Sequence, residues 1–429
     1  MAVEQDGVAR GREVPRRIRP AIELALTDTR VVGVLGPRQA GKSTLVKHLA
    51  ERTPGAAYVS LDDRDVRAAA EADPRGFLTG RPGMLAIDEV QRVPELLVAL
   101  KAEVDADQRP GRFVITGSSQ LSANRGVSET LAGRIERFEL WPLAQSEITG
   151  APGTFIDRLL AGEVPEPATS LAKADYLRLA VAGGYPEALR RAQARRGAWF
   201  DSYVETVVER EAPGISASPR TAGLPRLLRL VGARHAGLLN VANLARDAAI
   251  PESSARRYLE TLEAVFLVRR VPAWSGNLSQ RESSAAKIFV TDAGLAAHLR
   301  GLDLAGLRRP EIARGMDGPV LEGFVYCELL RQWGWSRSRP ALLHYRDRGG
   351  AEIDLIAEDR SGAIAAIEVK AATEVSAQDV RRLVAFRDKV GDRFAAGVIL
   401  HAGPRTIRLG ERLAAVPMSA LWESGGSPR

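Results

Sequence analysis

The residues best suited to chemistry in this chain form one short stretch near its N-terminus, Gly36-Pro37-Arg38-Gln39-Ala40-Gly41-Lys42-Ser43-Thr44. The stretch matches the phosphate-loop pattern G-x-x-x-x-G-K-[S/T] without a mismatch. In such a loop, backbone N–H groups cradle a polyphosphate, the lysine reaches the β- and γ-phosphates, and the hydroxyl binds Mg²⁺. The sequence therefore predicts an ATP site in which Lys42 contacts the phosphates and Ser43 ligates Mg²⁺.

A strand and a helix must position this loop. The apolar run 31–35 is typical of a buried parallel strand, and Leu45, Val46 and Leu49 recur at helical spacing, which predicts a helix beginning at Lys42. A strand, a glycine loop and a helix in that order direct several N–H groups and the helix dipole at one point. The alternative is a chance glycine turn, and both flanking patterns count against it.

Two acids supply the second half of the predicted site. Asp88 and Glu89 follow the apolar residues 84–87, which indicate a buried strand. Asp88 is expected to hold a water ligand of Mg²⁺, and Glu89 to orient and deprotonate the attacking water. The alternative is an acidic strand end in an ordinary turn.

Polar residues after a further strand are candidates for sensing the γ-phosphate. Ser118 or Ser119 suits this role, with Thr116 as the next choice, although ordinary turn chemistry explains each of them equally well. Arg134 precedes the last strand of the domain. It is a candidate charge-stabilising finger, acting in cis or in trans, and the alternative is a surface arginine.

Four stretches in this order resemble a known family: residues 36–44, 87–91, 116–119 and 131–134. They look like the AAA-type ATPase domain of a widespread bacterial and archaeal family, in which a C-terminal domain of unknown function follows the ATPase. The resemblance implies that Lys42, Ser43, Asp88 and Glu89 form the ATP site. Residues 182–186 and 287–295 also resemble that family.

The middle of the chain predicts helices and a helix-turn-helix with a wing. Residues 151–223 are helical, rich in arginine and end in a linker, and 224–272 show three helical patterns followed by a short basic strand. If this winged helix reads DNA, its third helix would present Ser254, Arg256 and Arg257 to the major groove. Winged helices also serve as packing modules, and that alternative stays open.

Near the C-terminus, the pattern D-x(13)-E-x-K follows a helical glutamate. Glu322, Asp354 and Glu368 can converge on one divalent metal, and Lys370 lies on the same strand face as Glu368. The pattern resembles the PD-(D/E)xK nuclease superfamily, which implies a metal-dependent, DNA-cleaving site. The alternative is a nuclease-like fold retained without cleavage.

Composition and charge bear on the partners and the location of the protein. The 429 residues carry a net charge of +7, which favours an anionic partner such as nucleic acid, and no stretch predicts a membrane span or a signal peptide. Cys327 is the only cysteine, so a disulfide within the chain is impossible; we interpret it as a core residue. We expect a cytoplasmic protein that binds ATP and Mg²⁺, and a homo-oligomer is one of the arrangements left open.

The predicted fold class is α/β. We expect an AAA-type ATPase domain with a parallel sheet over 1–150, a helical segment over 151–223, a winged helix over 224–275 and a restriction-endonuclease-like domain over 276–429. The expected function is a Mg²⁺-dependent ATPase coupled to a nucleic-acid-binding or DNA-cleaving module. The alternative is a nucleotide-gated switch with an inactive nuclease-like domain.

Overall fold

The computed structural model resolves two compact units, which are described separately. The first unit comprises Pro15–Pro142 and Thr261–Leu267, and the second comprises Met1–Val14, Leu143–Glu260 and Val268–Arg429. Within them, the structure describes residues 13–119, 131–167, 169–211, 223–277, 279, 281, 284–307, 309, 315–347 and 349–423.

The first unit is built on a five-stranded sheet with the order β2-β3-β4-β1-β5, in which every neighbouring pair is parallel. A 3₁₀ turn, Val90–Arg92, follows the third strand. The elements are α1 (Arg19–Ala25), β1 (Val31–Leu35), α2 (Lys42–Arg52), β2 (Ala57–Ser60), α3 (Arg64–Ala72), α4 (Pro74–Leu78), β3 (Leu85–Asp88), α5 (Glu95–Ala106), β4 (Phe113–Gly117) and β5 (Ile135–Glu139).

Burial explains why the central strands read as continuous apolar runs. All five residues of β1 are buried, as are all four residues of β3, which is expected for parallel strands covered on both faces. Val34, Leu45 and Val46 belong to one core cluster, in which α2 packs on β1. The prediction of an α/β chain with a parallel sheet in its N-terminal part is confirmed.

The second unit begins with helices and a small three-stranded sheet of order β6-β8-β7. Asn240 caps one of these helices by accepting a hydrogen bond from the Asn243 N–H at 2.9 Å. The elements are α6 (Gln145–Thr149), α7 (Phe155–Leu160), α8 (Lys173–Ala182), α9 (Pro186–Leu189), α10 (Gln193–Glu211), α11 (Gly223–Ala233), β6 (Gly237–Leu238), α12 (Val241–Ala248), α13 (Glu252–Ala264), β7 (Val268–Val271), β8 (Lys287–Val290), α14 (Ala293–Leu299) and α15 (Leu304–Leu307). The last four residues of α13, 261–264, belong to the first unit.

A second, six-stranded sheet of order β13-β14-β12-β11-β10-β9 completes this unit. In this sheet β10 pairs antiparallel with both β9 and β11, and β12 pairs in parallel with β11. A 3₁₀ turn, Gly391–Arg393, precedes β12, and another, Met418–Leu421, follows β14. The elements are α16 (Asp317–Trp333), β9 (Ala341–Arg346), β10 (Glu352–Glu358), β11 (Ile364–Lys370), α17 (Ala377–Val390), β12 (Phe394–His401), β13 (Ile407–Gly410) and β14 (Leu413–Pro417).

The additional sheet domain expected near the C-terminus is therefore present. Its likeness to restriction endonucleases, the winged-helix assignment and the four domain boundaries stay predictions. Over the residues that the structure describes, none of the helices has the length and apolar character needed to cross a membrane.

Candidate ATP site and acidic centre

The phosphate loop connects the end of β1 to the start of α2, as predicted. Gly36 has φ +152° and Gly41 has φ +99°, backbone conformations that glycine adopts at little cost. The Gly36 N–H donates to the Gly117 carbonyl at 3.2 Å, which ties the loop to the end of β4. Of the other loop residues, Pro37 and Ala40 are buried, Arg38 and Ser43 are partly exposed, and Gln39 and Thr44 are exposed.

Lys42 is held inside the loop. Its side chain is 3% exposed, and its Nζ donates to the Gly36 carbonyl at 3.0 Å and to the Pro37 carbonyl at 2.9 Å. An ammonium in this position lies beside the loop N–H groups and the N-terminus of α2, where a polyphosphate binds most favourably. The role of Lys42 in binding the β- and γ-phosphates stays a prediction.

Asp88 ends β3 at the same edge of the sheet as the phosphate loop. Its Oδ1 accepts a hydrogen bond from the Thr116 hydroxyl at 2.5 Å, and its Oδ2 accepts one from the Tyr58 hydroxyl at 3.1 Å. Burial raises the pKa of Tyr58, and the neighbouring Asp88 raises it further, so the phenol keeps the proton that it donates. These two donors orient the carboxylate.

Glu89 lies next to this pair in a strained backbone conformation. Its φ of 58° and ψ of 48° are left-handed, a region that costs a residue other than glycine roughly 1–2 kcal/mol. Its N–H donates to the Thr116 Oγ1 at 2.9 Å. Its Oε2 accepts hydrogen bonds from the Ser118 hydroxyl at 3.3 Å and from the Gln91 amide. Strain of this kind concentrates at functional sites.

Thr116 thus joins the two acids, while Ser118 contacts Glu89. Sequence reasoning named Ser118 or Ser119 first and Thr116 second, and the structure gives Ser118 and Thr116 distinct sets of contacts. Ser119 lies partly exposed just after β4. The γ-phosphate-sensor role of these residues stays a prediction.

Sequence reasoning missed three residues of this site. Gln91 donates to both Glu89 and Ser118, the latter at 2.9 Å. Tyr58 reaches Asp88 from the neighbouring strand. Arg16 donates to the Ala40 carbonyl at 2.7 Å. Gln91 lies within the stretch 87–91 that carried the family resemblance, whereas Tyr58 and Arg16 had no local signal.

Arg134 does not lie at the ATP site of its own chain. It precedes β5, whose first residue, Ile135, pairs with Val31 at the start of β1, whereas the phosphate loop follows the far end of that strand. Five strand residues span about 16 Å. The Arg134 guanidinium instead donates to both carboxylate oxygens of Asp105, at 2.6 and 3.0 Å. A finger in cis is incompatible with this placement, and a role in trans stays a proposal.

Replacing Thr116 by valine is expected to destabilise the first unit by roughly 1–3 kcal/mol. The substitution keeps the shape but leaves the Glu89 N–H and one oxygen of Asp88 without their partner inside the fold. Urea unfolding followed by circular dichroism measures the loss. The control is Thr79→Val, since the exposed Thr79 hydroxyl makes one bond, to the Gly76 carbonyl at 3.2 Å. Equal stability of the two variants would contradict the role given to Thr116.

The C-terminal acids form a second cluster. We call Glu322, Glu352, Asp354 and Glu368 the acidic centre. The Lys287 Nζ lies 2.8 Å from Glu322 Oε1, 2.7 Å from Glu352 Oε1 and 3.2 Å from Asp354 Oδ1. Burial opposes the charge on Lys287, but the three surrounding carboxylates raise its pKa above the ordinary value for lysine.

Glu368 has its own cations. Lys370 Nζ lies 2.8 Å and an Arg382 nitrogen 3.7 Å from the Glu368 Oε1. Burial, together with repulsion from Asp354, raises the pKa of Glu368 above its usual range, and the same two causes raise that of Glu322. The structure therefore brings together the four residues that the sequence predicted, and it adds Lys287 and Glu352, which sequence reasoning did not include.

The expected metal arrangement is not present. Among the residues with described positions, no group of three or more His, Cys, Asp or Glu side chains is arranged to hold a metal ion. Lys287 occupies the space between Glu322 and Asp354 instead. Cys327 is buried, as expected for a core residue.

The third helix of the predicted winged helix is α13. Ser254 is 7% exposed and therefore cannot present its hydroxyl to a base, which corrects that part of the prediction. Arg256 is paired with Glu252 one turn earlier, and the Arg257 guanidinium lies 5.7 Å from the centre of the Tyr258 ring. A groove-reading role for Arg256 and Arg257 stays a prediction.

Three protein-family models match successive parts of the chain. Residues 28–149 match a family described as AAA domain, 173–305 match a domain of unknown function (DUF8612), and 317–421 match a domain of unknown function (DUF4143). The chain therefore has an AAA-type ATPase domain, and the further two matches describe no activity.

Two mycobacterial proteins are similar over nearly the whole chain. They are Uncharacterized protein Rv2008c of Mycobacterium tuberculosis and Uncharacterized protein Mb2031c of Mycobacterium bovis, each 30% identical over 418 residues, which are 96% of this chain and 85% of the relative. Among solved structures, the S. cerevisiae Hsp104-ADP complex covers 61% of this chain and 40% of its own at 13% identity, with a TM-score of 0.29, too low to support an argument about this protein.

Proposed function

This chain belongs to the family of the mycobacterial proteins Rv2008c and Mb2031c, and from the geometry of its AAA-type domain we propose that it is a Mg²⁺-dependent ATPase. The observation that carries the proposal is the convergence of Lys42, Asp88 and Glu89 at one edge of the parallel sheet. A buried ammonium, an oriented carboxylate and a second carboxylate are the groups that ATP hydrolysis needs.

The donor set fits a nucleotide with Mg²⁺. The loop N–H groups and Lys42 bind the β- and γ-phosphates, and for this the ammonium exchanges its bonds to the Gly36 and Pro37 carbonyls for phosphate oxygens. Ser43 and Asp88 would hold Mg²⁺, which neutralises the charge that develops on the phosphates. The Tyr58 and Thr116 hydroxyls keep the Asp88 carboxylate oriented.

Glu89 takes the proton of the attacking water. The contacts of its Oε2 with Ser118 and Gln91 fix the direction of the carboxylate, and the Thr116 hydroxyl fixes its backbone. A base within hydrogen-bond reach of a positioned water typically contributes about 10²–10⁴-fold to the rate.

We further propose that hydrolysis is coupled to nucleic acid. The net charge of +7 and the arginines Arg256 and Arg257 on α13 support an anionic partner. The order of helices and short strands from α11 to β7 supports a winged helix over 224–275, and we keep the domains 1–150, 151–223 and 276–429 as part of the proposal. A homo-oligomer, in which Arg134 completes a neighbouring ATP site, belongs to the same proposal.

The second candidate is a nucleotide-gated switch with an inactive nuclease-like domain. Lys287 favours it over DNA cleavage, because its ammonium lies among the carboxylates that a nuclease metal would need. On this account, Mg²⁺ or Mn²⁺ produces no cutting of DNA. Cutting by the wild type that vanishes in both Asp354→Ala and Lys370→Ala would instead support the nuclease.

DNA should raise the rate of ATP turnover if nucleic acid is the partner. The measurement is phosphate release with and without double-stranded DNA, in the wild type and in Asp354→Ala. Stimulation that survives Asp354→Ala supports a nucleic-acid-directed ATPase in which cleavage is a separate question. Turnover that is indifferent to DNA contradicts the nucleic-acid proposal and leaves the switch.

A further inference from the structure

A lysine from outside the C-terminal segment enters the acidic centre. Lys287 begins β8 and lies within residues 173–305, the part matched by the first domain of unknown function, whereas the four carboxylates lie within 317–421. The Lys287 side chain is 2% exposed, and that of Glu322 is 16% exposed. The contact is therefore internal and joins two parts of the chain that separate family models describe.

The ammonium and its partners match in number. A lysine ammonium has three N–H donors and no acceptor, and three different carboxylates, Glu322, Glu352 and Asp354, lie within 3.2 Å of the Lys287 Nζ. A buried carboxylate lowers the stability of the fold unless a cation lies beside it and its hydrogen bonds are made. Lys287 supplies both the charge and the donors.

A divalent ion would need oxygens that are already engaged. Asp354 uses Oδ1 for Lys287, and its Oδ2 accepts the Val369 N–H at 2.9 Å. Glu322 uses Oε1 for the same ammonium. Glu368 directs Oε1 to Lys370, while its buried Oε2 has no hydrogen-bond partner. The Glu368 Oε2 does not by itself make a site for Mg²⁺, which prefers near-octahedral coordination.

We propose that the Lys287 ammonium is the permanent counter-ion of the acidic centre. Its ion pairs join β8 to α16 and β10, and they prevent divalent metal ions from binding to the centre. The inference goes beyond the ATPase and does not depend on it. It explains why the residue pattern of a metal-dependent nuclease is present while the metal arrangement is not. When the ammonium is removed, the carboxylates of Glu322, Glu352 and Asp354 surround an empty position that one metal cation can occupy.

The test is Mn²⁺ binding by the nucleotide-free full chain, followed by the electron paramagnetic resonance signal of free Mn²⁺. The wild type and Asp354→Asn should bind the same amount, because the wild-type centre takes none. Lys287→Met keeps an unbranched side chain that is one atom shorter than that of lysine, so it removes the charge and vacates the position of the ammonium. We expect it to gain one Mn²⁺ site per chain, which the double variant Lys287→Met/Asp354→Asn loses again.

Thermal unfolding gives a readout that is independent of metal counting. Lys287→Met should unfold several degrees lower than the wild type, and Mn²⁺ should restore part of the loss in this variant but not in the wild type. The matched control is Lys173→Met, which removes a lysine from a more exposed pair with Asp317 and should change little.

Two results would overturn the proposal. One is a Mn²⁺ site in the wild type that Asp354→Asn removes, a comparison that holds even if Lys287→Met does not fold. The other is a Lys287→Met protein that is as stable as the wild type and gains no Mn²⁺ site.

Discussion

Replacing Glu89 by glutamine is expected to lower kcat for ATP hydrolysis by roughly 10²–10⁴-fold and to leave ATP binding nearly unchanged. Glutamine has the same shape, and its amide oxygen can still accept the hydrogen bond of Ser118, so the site keeps its form. It cannot take a proton from water at neutral pH. Steady-state phosphate release gives kcat, and titration with a fluorescent ATP analogue gives the dissociation constant.

The matched control is Glu95→Gln. Glu95 is an exposed acid in the first turn of α5 and has no contact with the phosphate loop among the described hydrogen bonds and ion pairs. The Glu95→Gln variant should turn over ATP at the rate of the wild type. If Glu89→Gln also turns over ATP at the wild-type rate, Glu89 is not the base and the mechanism proposed for this site is wrong.

Gly36→Ala is expected to destabilise the first unit severely. Gly36 has φ +152°, and a Cβ added there would lie 2.1 Å from the Leu140 carbonyl oxygen. The obstacle is backbone at the end of β5, which cannot turn aside as a flexible side chain would. Left-handed backbone costs roughly 1–2 kcal/mol and overpacking about 1–3 kcal/mol more, so we expect a total loss of about 2–5 kcal/mol in the free energy of unfolding.

Gly80→Ala separates the two causes. Gly80 also has a positive φ, +74°, but an added Cβ meets nothing within 4 Å, so this variant carries the backbone cost alone. Urea unfolding followed by circular dichroism compares the two variants with the wild type. A Gly36→Ala protein no less stable than Gly80→Ala would show that the close approach to Leu140 does not constrain the loop.

The sequence predicted those parts of the ATP site that depend on neighbours along the chain. The strand, the loop from Gly36 to Gly41 and the helix beginning at Lys42 are consecutive, so their geometry follows from local pattern. Asp88 and Glu89 were recognisable for the same reason, as acids at the end of an apolar run. Their roles in hydrolysis stay predictions.

Contacts between residues on neighbouring strands could not be predicted from the sequence, because they depend on the order of the strands in the sheet. Tyr58 meets Asp88 only because β2 and β3 are neighbours, and Thr116 joins the acids only because β4 lies beside β3. The same reasoning explains Arg134: its position before β5 places it at the opposite edge of the sheet, which no local pattern reveals. The guanidinium of Arg134 suggested a charge-stabilising finger, but the position of β5 in the sheet excludes that role at the ATP site of the same chain.

The acidic centre shows the same limit more strongly. The spacing of Asp354, Glu368 and Lys370 predicted a shared site, and these residues do lie together. Lys287 precedes Glu322 by 35 residues and belongs to a different strand pair, so nothing in the local sequence indicated that its ammonium would enter the centre. The contact of Lys287 with the acidic centre thus changes the metal-binding chemistry that the local pattern had predicted.

The most direct test of the central claim is Mg²⁺-dependent release of phosphate from ATP by the wild type beside Lys42→Met, with both proteins shown by circular dichroism to be folded. The account predicts steady release by the wild type that stops when EDTA removes Mg²⁺, and none above background from Lys42→Met. Equal release by the two proteins, or failure of the folded wild type to bind ATP, would contradict it.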